Sequence, residues 1–167
     1  MAIWQFNIYF IPRASLVVTY GQIPKQLEIE NALEIEWWSN INVGLNSLFP
    51  MLEQFGEVQK WSANIDGLRS FGDVDSNDIT VCFSKESNLV QELSCRIDVR
   101  QINKEFINKC LSLAKEFDCL LLDRQGKLFQ PLHTTLVDRI KLSNSNRFVQ
   151  DSDLFFEDLS DGFVTPQ

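Results

Sequence analysis

The chain has little of what recognisable catalytic motifs are built from. It holds a single histidine, His133. An imidazole base therefore has one candidate position, and no nucleophile or orienting carboxylate stands beside it in sequence. No Gly-rich phosphate loop, nucleophile elbow or paired metal-ligand motif occurs. Cys82, Cys95, Cys110 and Cys119 include no CxxC pair, and their spacings fit no zinc pattern. With only seven glycines and five prolines, a long disordered tract is not expected. No stretch approaches the roughly 20 apolar residues of a membrane helix. Residues 1–11 are apolar, but they lack a basic segment and a small-residue cleavage site and are interrupted by Gln5 and Asn7, so no secretory signal is expected. The expectation is a cytoplasmic protein with reduced thiols, no catalytic residue, no cofactor and no metal.

What is present in excess is acid. Asp and Glu number 23 against 15 Lys and Arg, a formal net charge of -8. The surplus is concentrated in three places: Glu28–Glu36, the 66–78 stretch and the 151–161 stretch, whereas residues 79–122 balance. Trp37 and Trp38 follow the first of these, and Trp61 precedes the second. Should the segments meet, the candidate partner-binding residues are Glu28, Glu30, Glu34, Glu36, Trp37, Trp38, Asp73, Asp75 and Asp78, a charged rim around aromatic anchors. The alternative is that the tryptophans are core and the acids a solvated surface.

The element pattern points to an α+β domain, a mainly antiparallel sheet with helices packed on one face, spanning 1–167 as one unit with a short acidic helix and tail at 150–167. Trp4, Phe6, Ile8 and Phe10 alternate as a strand, and β-branched Leu16–Thr19 suggests a second. Glu28–Trp38 fits either an extended edge or a short helix. Leu45 to Phe55 has helical spacing, with Ser47 as cap, Pro50 in the first turn and Gly56 beyond the end. From 57 to 100 the pattern is a meander, with strands at Val58–Ser62, Ile65–Phe71, 79–84 and 93–99, the last two joined at Lys85–Asn88. Asn103 caps a helix to Phe117 that should cover the apolar side of the 78–99 hairpin. Cys119–Leu122 and Lys127–Phe129 flank a turn at 123–126. A helix follows from Pro131, with Leu132, Leu136, Val137 and Ile140 facing inward, then a polar break at 143–146 and a last helix capped by Asp151 or Ser152.

Two polar constellations stand out. Asp73-Val-Asp75-Ser-Asn77-Asp78 begins like a calcium loop, but its sixth position is Asp78 instead of Gly and its twelfth is Ser84 instead of Glu, so a polar turn is expected. Arg96, Asp98 and Arg100 share one strand face. They form either a small-molecule site, with two guanidiniums gripping a phosphate or carboxylate, or a charge ladder paired across strands. The one basic stretch, 123–147, is too weakly positive for direct nucleic-acid binding.

Several stretches carry a resemblance: Lys60-Trp61-Ser62, Phe71-Gly72-Asp73, Asn77-Asp78-Ile79, the run Arg96–Arg100, the run Phe117–Gly126, Arg147-Phe-Val and Asp153-Leu-Phe. Together, over about residues 57–160, they resemble a group of small, mostly uncharacterised bacterial proteins similar to the immunity proteins of polymorphic toxin systems. The resemblance implies an acidic cytosolic α+β domain that binds and neutralises a toxin domain, and it carries over no catalytic residue. The leading expectation is a non-enzymatic acidic binding protein, an inhibitor of a basic, toxin-like partner, with no membrane association and monomeric or homodimeric. The alternatives are an enzyme or ligand-binding domain using the Arg96/Asp98/Arg100 face, and a structural or homodimeric subunit.

Overall fold

The computed structural model describes residues 2–164. Its strands are β1 (Gln5–Pro12), β2 (Leu68–Gly72), β3 (Asp78–Phe83), β4 (Val90–Asp98), β5 (Cys119–Asp123) and β6 (Leu128–Phe129). They form one sheet in the order β2-β3-β4-β1-β5-β6, with every pairing antiparallel. Eight α-helices lie among the described residues: α1 (Arg13–Tyr20), α2 (Ile29–Leu33), α3 (Leu45–Leu52), α4 (Lys60–Ala63), α5 (Lys104–Glu116), α6 (His133–Lys141), α7 (Asn144–Gln150) and α8 (Ser152–Ser160). The class is α+β. No helix among the described residues is long and apolar enough to cross a membrane.

Register explains how alternation in separate strands becomes one surface. Phe6 and Ile8 lie opposite Ile97 and Cys95, and Phe10 lies opposite Leu121. Ile79 and Val81 lie opposite Cys95 and Leu93, and Phe71 opposite Ile79. Because side chains alternate with a period of two, these residues share one face of the sheet. Helices α3 and α5 cover it. Phe49 of α3 meets the Phe71 ring edge-on at 5.2 Å, and Cys110 of α5 places its sulfur 3.5 Å from that of Cys95. Leu48, Leu52, Ile107 and Ala114 are fully buried in this layer. Burying each of the larger side chains contributes about 1.5–3 kcal/mol before entropy is charged.

The opposite face is polar over β3 and β4 and apolar towards β5, where Ile11 lies opposite Leu120 and Leu122 opposite Tyr9, all three aliphatic side chains buried. Tyr9, Ser94 and Thr80 stand in one cross-strand row, Glu92 and Cys82 in the next, and Asn7, Arg96 and Asp78 in a third. Segments fold over both ends of this face. At one end the Trp38 indole N–H donates to the Phe10 carbonyl at 2.8 Å. At the other, the Gln5 side chain donates to the carbonyls of Val74 and Ser76 at 3.0 and 2.9 Å.

Local chemistry sets several boundaries as the pattern indicates. Asn103 accepts the Phe106 N–H at 3.0 Å to start α5, and Asp151 accepts that of Leu154 at 3.0 Å to start α8. Gly126 closes the β5–β6 turn at φ +76, where a Cβ would lie 2.0 Å from the Leu27 carbonyl oxygen. Elsewhere tertiary pairing overrides local preference. Leu16–Thr19 is helical in α1 and not a strand; Gly21 takes the left-handed conformation at its end and returns its N–H to Val17. Val58 makes one bridge to Phe71, and the chain then turns into α4, where the Ser62 hydroxyl accepts the Ser70 N–H at 2.9 Å in place of a further strand bond. Helix α3 begins at Leu45 and not at Ser47, because the Leu45 N–H is fixed to Asn88 at 2.8 Å; Pro50 therefore lies inside the helix. The break expected at 143–146 is shorter and lies between α6 and α7 at Leu142 and Ser143; Ser143 caps α7 by accepting the Asn146 N–H at 3.1 Å, so 144–146 are helical. Of the two readings of Glu28–Trp38, the short helix is present, as α2 followed by a 3-10 turn at Trp37–Asn40.

Candidate functional site

The Arg96/Asp98/Arg100 face is a charge ladder whose forks are filled by the protein itself. Arg96 donates through Nε to Asp78 at 2.8 Å and through Nη2 to the second carboxylate oxygen, directly across the β3–β4 register. That hydrogen-bonded pairing raises the Arg96 pKa further. Asp98 accepts Arg100 Nε at 3.0 Å and Nη2 at 2.7 Å, which holds its carboxyl below the usual range. Arg100 also lies 4.3 Å over the Trp4 ring and donates to the Asp75 carbonyl at 2.9 Å. Two guanidiniums already committed in this way do not form an open clamp for a phosphate or carboxylate.

Trp37 and Trp38 are core residues and not surface anchors. They are 3% and 1% exposed. The Trp37 indole donates to Ala32 at 2.8 Å, and Trp38 packs edge-on against Phe117. Asp78 is buried too and belongs to the Arg96 pair. Glu28, Glu30, Glu34 and Glu36 remain exposed, as do Asp73 and Asp75. Asp73 accepts the Asp75 N–H at 3.0 Å, the bond of a polar turn.

The acidic segments do not all meet. Glu36 accepts a hydrogen bond from Gln91 at the start of β4, and Asn77 accepts the Asp98 N–H at its end. Seven residues of strand separate these points, about 23 Å at ~3.3 Å per residue. The C-terminal segment does reach α2. Leu33 and Glu30 share a groove of about 720 Å³ with Arg124, Asn144, Arg147 and Phe163. Arg147 is bound to Asp158 of α8, so this groove joins two of the three acidic segments.

Sequence reasoning did not single out the titratable group on this second sheet face, where Tyr9 and Glu92 line a crevice with Leu33, Ile35, Trp37 and Leu122. Glu92 and Cys82 are cross-strand partners there, and Tyr9 lies diagonally from Glu92 on the neighbouring strand. All three are half-buried. Burial raises the Glu92 carboxyl and the Tyr9 phenol and pushes the Cys82 thiol up to about 11. Ser94 donates to Glu92 at 3.3 Å. The alternating Thr80/Cys82 and Glu92/Ser94 positions were visible in the sequence; their register was not. His133 is exposed at the start of α6. Among the described residues no three His, Cys, Asp or Glu side chains are grouped as a metal ion would need. No protein-family model matches this chain, and neither a curated protein nor a solved structure matches it.

Proposed function

We propose that this is a non-enzymatic acidic binding domain that engages a basic protein, in the manner of an immunity or inhibitor protein. One observation carries it. The buried acids Asp78, Asp98 and Asp123 each have an arginine, whereas Glu28, Glu30, Glu34 and Glu36 are exposed and enter none of the seven ion pairs among the described residues. Buried charge is compensated internally, whereas in the exposed row Glu28 and Glu36 accept only from the amides of Asn31 and Gln91, so the charge of the row is left to water or a partner. Such a row steers association with a cationic surface and makes it salt-dependent. Asp73 and Asp75 add a second acidic edge at the far end of the sheet. A bacterial, cytoplasmic setting and a toxin as partner belong to the same reading and rest on the resemblance of residues 57–160.

Affinity capture at low and moderate salt tests it, comparing the native chain with one carrying Gln at 28, 30, 34 and 36. A basic protein held by the native chain at low salt, released at moderate salt and lost with the variant supports the reading. Retention that ignores both salt and variant sinks it.

A second reading, a homodimer, has its own observation. Val149, Leu154, Phe156 and Phe163 are exposed around α7 and α8. Sedimentation over a concentration series separates the two, since a dimer built there dissociates on dilution.

A further inference from the structure

The polar face of the sheet has a carboxylate, Glu92, that no cation among the described residues pairs with. Glu92 and Cys82 are directly paired across β3 and β4, and Ser94 stands between Thr80 and Tyr9 in the adjoining row. Neighbours directly opposite lie about 5 Å apart and diagonal ones about 7–8 Å, so the Tyr9 ring and the Glu92 carboxylate are within one side-chain length of each other. Glu92 enters none of the seven ion pairs formed among the described residues. Arg96, two residues along on the same face, is locked to Asp78. Arg124 is close enough to act on the Tyr9 phenol but is not among the groups acting on Glu92. The carboxylate is therefore the electronegative end of this patch.

The exposed acidic row runs up to it. Glu36 accepts from Gln91 at 3.0 Å, and Gln91 is the residue before Glu92. A basic surface lying along α2 would reach Glu92 at this point, at the mouth of the crevice that Glu92 and Tyr9 share with Leu33, Ile35 and Trp37.

We propose that the face between Glu92 and Tyr9 receives an arginine side chain of the basic protein partner; this rests on the reading of the exposed row given above. A guanidinium suits the place better than an ammonium. Its planar fork matches one carboxylate bidentately, and its plane stacks on an aromatic ring. The hydroxyls of Ser94 and Thr80 supply acceptors for its remaining N–H groups. A carboxylate that is already partly desolvated has less water to lose when the cation arrives, so the contact gains more from pairing than a fully exposed acid would.

The test is titration of the whole chain with a tetra-arginine amide peptide at low salt, followed through backbone amide chemical shifts and affinity. The expected result is saturable shifts at Tyr9, residues 80–82 and residues 92–94. Glu92→Gln, which keeps the shape, should weaken binding roughly tenfold, and tetra-lysine should bind the native chain more weakly than tetra-arginine. Absence of those shifts in the native chain, or equal affinity in a folded Glu92→Gln variant, overturns the inference. The shift map needs no variant, so a poorly folded substitution does not blunt the test. If the peptide shifts only the 28–36 amides, this inference falls and the acidic-row reading stands. If the peptide does not bind at all, both fall.

Discussion

Arg139 of α6 reaches the end of β5 and grips Asp123, with Nε at 2.7 Å and Nη2 at 2.6 Å from one carboxylate oxygen. The other oxygen accepts the N–H groups of Gln125 and Lys127, at 2.9 and 3.0 Å. One buried acid thus shapes the β5–β6 turn and anchors a helix to it. Asp123→Ala should cost about 3 kcal/mol, because it strands a half-buried guanidinium and two turn N–H groups together. Urea unfolding measures this. A loss below about 1 kcal/mol would mean the turn holds itself.

Thiol chemistry should follow the layers. Cys95, Cys110 and Cys119 are buried, whereas Cys82 lies on the half-open face. Burial raises the Cys95 and Cys119 thiols as well as that of Cys82. A thiol reagent applied to the folded protein should modify Cys82 first and slowly at neutral pH. The rate should rise steeply towards pH 11, because the thiolate is the reactive form. Modification of Cys95 or Cys110 at a comparable rate in the native state would contradict the packing of α5 on the sheet.

Much of this sheet was legible because β1, β3 and β4 each carry their own alternation and β5 is a short continuous apolar run. Phe6–Phe10, 79–83 and 93–99 declare an apolar face without any partner. Caps that act within three residues, at Asn103 and Asp151, were legible for the same reason. The failures share a cause. Leu16–Thr19 has strand-like composition, but its place after Pro12 and before Gly21 makes it a helix. Val58–Ser62 gives up its strand because Ser62 serves the Ser70 backbone. At the candidate site, Arg96, Asp98 and Arg100 were visible as charges on one face, but only register shows that Asp78 occupies Arg96. The same register brings Glu92, Cys82 and Tyr9 together from two strands that are adjacent in sequence and one that is distant.

The tryptophans offer a direct check of burial. Trp61 is 45% exposed, while Trp37 and Trp38 are in the core. Acrylamide should quench Trp61 readily and leave Trp37 and Trp38 largely shielded. Trp61→Phe should therefore remove most of the accessible fluorescence. If strong quenching persists in that variant and also in Trp4→Phe/Trp61→Phe, then Trp37 and Trp38 reach solvent, and their role as contact aromatics returns.

Asp98 and Glu92 should bend the pH dependence of stability in opposite directions. The Asp98 carboxyl is held below its usual range by Arg100, so the folded state binds its proton more weakly than the unfolded chain does. Its contribution is present above about pH 4 and is lost as acid carries the solution through the lower, native value. Asp98→Asn should flatten that acid limb. Glu92 is raised by burial, so the folded state holds its proton more tightly. Its ionisation costs nothing in strong acid and begins to destabilise the fold above about pH 4.3. Glu92→Gln should therefore leave stability unchanged at low pH and increase it at neutral pH. A carboxylate that weakens the folded chain and enters no ion pair among the described residues is what a partner-binding residue looks like in the unbound state. Chemical unfolding across pH 3–8 decides it, and a Glu92→Gln variant less stable than the native chain at neutral pH would make Glu92 a structural residue instead.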